Sequence, residues 1–492
     1  MKREEVQVRR QGIVITPDIS RVILKPFSPV VPASPGYATR MKGLIKRVVG
    51  LSEADTVSIL DNVYAEFRSR HRCLEKVLEE RYDSVKSFIP AGSKPSKAKQ
   101  LLIGSYFMCE YSLEAAALFN PSIVVHRDQT GVKPGALRFI MSLRATGEGH
   151  ISSIEFRTGV IDGKGQVALD EPGTYVSTPA IHPDPRYDKS AFMSKLQDEG
   201  TLNYSVKEIL KSLSGEFTRT QLTTKITRFR KSHPKVNPVQ RRSLDFAESL
   251  LELNYEVNFP ENVPLAERAI FPVSSFESNG IEDARFVRFA NENGSVTYYA
   301  TYTAYNGKTI MPLLLETTDF RRFRINSLSG EAARNKGMAL FPRKIGGRYA
   351  TISRHDAENL YIVFSDDIYR WKKPGALIGP SRYWEFTQIG NCGSPIETEK
   401  GWLLLTHGVG PMRKYCIGAV LLDLENPAKV IGRLKTPLIA PNESEREGYV
   451  PNVVYTCGAL KHKDQLVIPY ATSDRATCFA TVSIDELLHT MR

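Results

Sequence analysis

The stretch VPNVVYTCGALKHKDQLVIPYATSD, residues 450–474, decides the reading of the fold. A polar loop with a proline leads into an apolar strand, a turn follows, and a second apolar strand closes the unit. The same order recurs upstream in NPSIVVH from Asn120, EDARFVRFANENGSVTYYATYT from Glu282, GMALFPRKIGGRYATIS from Gly337 and GSPIETEKGWLLLTHG from Gly393. The last four of these segments lie about fifty to sixty residues apart, the length of one four-stranded blade with its connections. Five such units predict a mainly β chain that folds as a five-bladed β-propeller over residues 120–492. Only the interval between the first two is too long, and it holds a polar, mostly helical insertion at about 187–253. A propeller aims the loops before its innermost strands at the central axis, so the residues that open the repeats are where chemistry is sought.

Upstream of the repeats the pattern differs. Residues 1–50 contain Pro26, Pro29, Pro32, Pro35 and Gly36, a breaker density that predicts an extended arm. Residues 51–119 read as a helical hairpin. Ser52 and Asp55 form a capping-box-like start, apolar residues then recur in steps of three and four as far as Pro90, and LLIGSYFMCEYSLEAAALF predicts a second helix from Ser96 to Phe119. This long apolar hairpin is expected to pack on the propeller wall or to form a homo-oligomer interface.

Bulk composition excludes a few classes. No apolar run is long enough to cross a bilayer, so no membrane partner is expected. The start MKREEVQVRR lacks the apolar region of a secretory signal, which predicts a cytoplasmic protein. The six cysteines show neither CxxC pairs nor zinc-ligand spacing and read as buried free thiols. A net charge of +12 suits nucleic acid or an anionic small ligand equally. The run KITRFRKSHPK from Lys225, with Arg241 and Arg242 beyond it, is the one segment a nucleic-acid binder or non-catalytic scaffold would use, but a solvated helix face explains it as well, and nucleic acid is not the expected partner.

Glu282 and Asp283 open the second repeat just before a buried strand, with Arg285 two positions on. Strand alternation would put the two acids on opposite faces, so that only one reaches the axis. A carboxyl buried at a propeller mouth is costly unless paired or used, and glycoside cleavage needs one that can hold a proton. Taken alone, the tripeptide reads rather as two acids that cap a turn and pair with Arg285. His407 follows a run of apolar residues and precedes a glycine-rich turn with Arg413 and Lys414, while Arg334, Asn335, Lys336 and Arg354 flank the third repeat's strand. Together they make a candidate anion pocket. Asp474 ends the fifth repeat, where it either accepts hydrogen bonds from sugar hydroxyls or closes an Asx-turn. Arg144, Glu148 and His150 surround two glycines in the first repeat and line the same cleft or a solvated hairpin tip.

These segments together resemble glycoside hydrolase family 130, the mannoside phosphorylases and related β-mannosidases. The resemblance runs from about Asn120 to Leu488, apart from the insertion, and rests on GIEDAR (280–285), GMALFPRKIGGRYA (337–350), GWLLLTHG with IGAVLLDLENPAKVIGR (401–433), and GYVPNVVY leading to PYATSD. Ala284 stands where the family usually has proline, and Thr406 where it has an aromatic. The resemblance implies an inverting enzyme acting on β-linked manno-oligosaccharides, with Asp283 as the sole protein proton donor. Inorganic phosphate is the implied co-substrate, attacking the anomeric carbon to give α-mannose 1-phosphate while the proton travels through a sugar hydroxyl. His407 matches the family's phosphate-binding histidine, with Lys336, Arg354 and Arg413 as cationic partners. Asp474 matches the aspartate that holds the sugar, with Arg285, Arg144, Glu148, His150 and Asn335 around it. No metal and no further cofactor are implied. The alternative is hydrolysis, with water activated by a second carboxylate, for which Glu148, Glu331 and Glu397 are candidates.

Overall fold

A computed structural model describes residues 6–32, 34–182 and 186–491. The protein is mainly β and divides into two compact units, one formed by residues 18–115 with 173–177 and the other by the rest of the chain. Among the described residues no helix is long and apolar enough to cross a membrane.

Among the described residues the smaller unit holds four α-helices, Tyr37–Val49, Glu53–Phe67, Leu74–Val85 and Lys97–Ser105, and a ribbon pairing Val22–Pro26 with Met108–Ser112. Two expectations are corrected here. The breakers of the N-terminal stretch stop at Gly36, which caps a helix whose Met41, Ile45 and Val48 are buried, so residues 37–50 are not extended; Met1–Glu5 and Ala33 of that stretch lie outside the described residues. The long apolar run after Ser96 is not one helix. Its first part is helical, MCEYS is a strand, and Ala117–Val125 is a strand of the larger unit. A segment apolar on every side carries no period by which helix and strand can be told apart. Ser52 does cap its helix, its hydroxyl accepting from the Asp55 amide at 3.0 Å. Helices 74–85 and 97–105 approach closely because Gly104 has no side chain, since a Cβ there would sit 2.0 Å from the Leu78 carbonyl oxygen.

In the larger unit the pairings run as successive antiparallel meanders. The first is 117–125, 137–146, 152–161 and 167–169; the second is 280–290, 296–305, 310–317 and 322–327. A single parallel pair, Gly280 with Ser152, joins these two into one eleven-stranded sheet. The third meander spans 339–378 and the fourth 388–433. The fifth comprises 454–455, 460–462, 465–472 and 476–483, and its outer strand is Arg9–Ile15 from the N-terminus. Arg10 ties that strand down by donating to both Glu445 carboxylate oxygens, at 2.9 and 3.1 Å. Among the described residues no sheet closes on itself.

Hydrogen bonds stitch each meander to the next. Ser122 accepts from the Phe286 amide, Pro342 from Ala290, Glu358 from Ile389, Asn452 from Tyr415, and Pro121 from Cys457, which returns to the first meander. The first two meanders open on the same device. Asn120 (φ 49°) and Asp283 (φ 55°) adopt the left-handed conformation, and the strand register slips across each of them, between Phe119 and Ser122 and between Glu282 and Arg285.

Four helices fill residues 189–250 and share the apolar core of the first two meanders through Phe192, Leu210, Leu222, Ile226 and Leu244. In the cationic helix Arg219–Ser232, Leu222 and Ile226 face inward and Arg230 is neutralised by Asp245 and Glu248, each at 2.7 Å. Cys73 and Cys109 are exposed, which corrects the expectation that the thiols are buried; Cys392, Cys416 and Cys457 are.

Candidate active site

The bulge at Asp283 overturns the expectation that Glu282 and Asp283 face apart. A residue in the left-handed region breaks the two-residue alternation of a strand, so both carboxylates turn to Arg144 of the first meander. Arg144 Nη2 donates to Glu282 at 2.8 Å and Nη1 to Asp283 at 3.3 Å, while its Nε is fixed on the Ser152 hydroxyl at 2.9 Å. Lys336 holds the second Glu282 oxygen. Asn120, the left-handed residue of the neighbouring meander, donates to Asp283 Oδ1 at 2.7 Å. Burial alone would raise the Asp283 pKa, but Arg144, Arg285, Lys336 and the Asn120 amide outweigh it and hold the group below the usual aspartate range. The free protein therefore keeps Asp283 ionised, whereas proton donation requires its acid form. Its side chain remains 15% exposed, open to a ligand.

Arg285 is buried behind Asp283. It donates to the Asp283 carbonyl at 3.1 Å and to the Tyr455 hydroxyl, and its buried Nε has no hydrogen-bond partner among the described residues. It is not the main ion-pair partner of the two acids, since Arg144 takes that place.

His407 lies inside the strand Gly401–Val409 and is buried, not set at a strand end. Its imidazole occupies space that only glycine opposite can leave, because a Cβ on Gly390 would fall 2.2 Å from Cε1. The ring stacks on Tyr415 at 5.8 Å and meets Tyr455 edge-on at 4.9 Å. Burial first, then Arg354 and Arg285, pushes its pKa well below the usual histidine value, so it is neutral. Arg354 Nη1 is 3.4 Å from Nε2, and a guanidinium can only donate. Nε2 is thus the lone-pair nitrogen, and the proton sits on Nδ1, which faces Cys392 Sγ at 3.9 Å. In the free protein His407 orients Arg354. Close to it, Arg354 Nε and Asn391 Oδ1 face the same point beside Gly337, and both are buried without a hydrogen-bond partner among the described residues.

The other expected residues divide. Lys336 lies over the Tyr305 ring at 5.6 Å with its ammonium on Glu282, so it is not a free cation. Asn335 is left-handed (φ 61°) and its side chain accepts from the Lys336 amide, which sets the loop. Arg413 is exposed and packs over Tyr415 at 5.5 Å. Asp474 is partly buried and has no hydrogen bond or ion pair among the described residues. Burial and then Asp283 push its pKa up to about 6, against the pull of Arg144 and Arg413. Glu148 and His150 lie exposed on a hairpin, with His150 Nδ1 2.9 Å from the Tyr449 hydroxyl. Of the carboxylates expected to activate water, Glu397 is held bidentately by Arg343 at 2.9 and 2.7 Å, and Glu331, like Glu148, is exposed. Sequence reading missed Asn120, Tyr455 and Asn391. Asn120 had a signal, for it opens its repeat at the position where Asp283 opens the next.

The sequence profile of glycoside hydrolase family 130, described as β-1,4-mannooligosaccharide phosphorylase, matches residues 235–492, just over half of the chain. A β-1,2-mannobiose phosphorylase of Listeria innocua is 31% identical over 228 residues, 45% of this chain and 62% of the relative. A 1,2-β-oligomannan phosphorylase of a Thermoanaerobacter species is 34% identical over 219 residues, 43% of this chain and 71% of the relative. The matched region thus spans less than two thirds of the length of the Listeria protein. A solved structure of the Listeria innocua β-1,2-mannobiose phosphorylase with β-1,2-mannobiose aligns at a TM-score of 0.47 and 21% identity, covering 77% of this chain and 93% of that one. With GIEDAR and the strand bearing His407 both inside the matched region, the chain belongs to glycoside hydrolase family 130.

Proposed function

We propose that the protein is an inverting phosphorylase that cleaves β-mannosidic bonds of manno-oligosaccharides with inorganic phosphate, releasing α-mannose 1-phosphate. The observation that carries the reading is the charge balance of the site. Arg144, Arg285, Lys336, Arg354 and Arg413 surround three carboxylates, Glu282, Asp283 and Asp474, and His407 is neutral. The surplus of positive charge calls for an anion, and the Nε donor of Arg354, without a hydrogen-bond partner among the described residues, supports binding of the anion there. A phosphate dianion placed there cancels the field that keeps Asp283 ionised. The carboxyl pKa then rises, and Asp283 takes up the proton it delivers to the leaving oxygen through a sugar hydroxyl. Phosphate is in this way both nucleophile and the charge that arms the acid. Asp474, which has no side-chain partner among the described residues, accepts hydrogen bonds from the hydroxyls of the sugar being transferred.

The five meanders are read as the blades of one propeller, supported by the cycle of hydrogen bonds that leads from the first meander through the others and back. The names of the relatives support mannosides linked β-1,2 or β-1,4 as substrates. Incubation with β-mannobioses of each linkage tests the proposal: sugar is consumed only in the presence of phosphate. Equal consumption in phosphate-free buffer would instead identify a hydrolase.

A further inference from the structure

Two loop tips meet at the surface through a pair of aromatic side chains. The first is the hairpin between strands 137–146 and 152–161, where Gly149 (φ 64°) and His150 (φ 61°) are both left-handed and exposed. The second is the loop 446–453, closed on itself by the Asn452 amide on the Arg446 carbonyl at 3.1 Å and by Arg446 Nε on Asn452 Oδ1 at 3.0 Å. At its tip stands Tyr449, 49% exposed. The Tyr449 hydroxyl lies 2.9 Å from His150 Nδ1, and the two rings are 5.6 Å apart with a tilt of 31°.

Both tips are rooted in the active site. Ser152, just after His150, accepts from Arg144 Nε, and Arg144 holds Asp283 and Glu282. Gly448, just before Tyr449, lies against Ser473, the neighbour of Asp474; a Cβ at Gly448 would come 2.6 Å from the Ser473 Cβ. The Tyr449–His150 contact therefore joins the loop beside Arg144 to the loop beside Asp474, across the first and fifth meanders.

A half-exposed tyrosine fixed by its hydroxyl offers a flat apolar face at little cost in side-chain freedom, with polar edges close by. That chemistry suits a pyranose ring, whose C–H groups make one face apolar while its hydroxyls point outward. We propose that Tyr449 and His150 form the platform for the sugar on the leaving-group side of the scissile bond, and so set the preference for acceptor and chain length. The inference rests on the proposed phosphorolysis for its direction. The transferred sugar is held inside by Arg144 and the carboxylates, while the departing sugar leaves past the exposed rim where the platform stands.

Synthesis in the reverse direction, from mannose 1-phosphate and a mannose or mannobiose acceptor, separates the two sugars. In Tyr449→Ala the KM for the acceptor is expected to rise about tenfold, with the KM for mannose 1-phosphate within about twofold of wild type. Tyr449→Phe, which keeps the face and loses only the hydroxyl, raises the acceptor KM about two- to threefold. An unchanged acceptor KM in Tyr449→Ala, or an equal rise in both constants, overturns the platform. Calorimetric binding of a β-mannotriose in the absence of phosphate keeps this distinct from the proposed reaction. Weaker binding to Tyr449→Ala supports the platform even in a protein that fails to turn over, and equal binding removes it whatever the reaction proves to be.

Discussion

Replacing Asp474 by asparagine isolates the least compensated charge in the site. The carboxyl has no protein partner among the described residues, and burial with Asp283 nearby lifts its pKa from 3.8 to about 6. Because the folded value lies above the unfolded one, the folded protein binds a proton between these pH values that the unfolded chain releases. Stability contributed by this group is complete below about pH 4 and is lost as the pH rises through about 6. At about 1.4 kcal/mol for each unit of pKa, the ionised side chain costs the fold on the order of 3 kcal/mol at neutral pH and above. Asparagine keeps the shape without the charge. Asp474→Asn should therefore be more stable than wild type by about 3 kcal/mol at pH 8 and by about half as much at pH 5. Urea unfolding followed by tryptophan fluorescence at both pH values measures this, and phosphorolysis kinetics on the same variant should show a loss of activity, a trade expected where a charge is kept for function. A variant no more stable than wild type at pH 8, or a gain that does not vary with pH, would refute the reasoning.

Two further outcomes follow from the same geometry. Phosphate binding at pH 6 should take up more protons, or release fewer, in wild type than in Asp283→Asn, because the dianion offsets the cations that hold Asp283 ionised while the proton lost by free phosphate itself is common to both proteins; calorimetry in buffers of different ionisation enthalpy reads the difference, and no difference would count against the arming of Asp283 by phosphate. Gly390→Ala should displace the His407 ring, since the new methyl would lie 2.2 Å from Cε1, and thereby loosen Arg354; we expect the KM for phosphate to rise about tenfold with a smaller change in the KM for the mannoside.

Much of the strand order was legible in the repeats, and the first two meanders open on residues, Asn120 and Asp283, whose types are set by backbone needs as well as by chemistry. The repeat pattern pointed to Asp283 and Lys336 at the openings of their repeats and to His407 and Asp474 at the far ends of their strands. What stayed hidden depended on departures from regular periods. Alternation assigned Glu282 and Asp283 to opposite faces, yet the left-handed turn at Asp283 places both on Arg144. His407, just after an apolar run and before a glycine-rich turn, looked like a phosphate ligand, but its contact with Arg354 depends on burial and on the space left by Gly390, neither of which a linear pattern records. The run after Ser96 was too uniformly apolar to show where helix gives way to strand. The pairing of Arg9–Ile15 with the C-terminal strand, between residues more than 450 positions apart in the chain, had no local signal at all.

The central claim, that Asp283 supplies the proton to the leaving oxygen, is tested most directly by the dependence of Asp283→Asn on the leaving group. Losing a general acid should lower kcat on β-mannobiose in phosphate by about 10³-fold, but by only about tenfold on an aryl β-mannoside whose phenolate departs without a proton. Equal losses on the two substrates would contradict the account.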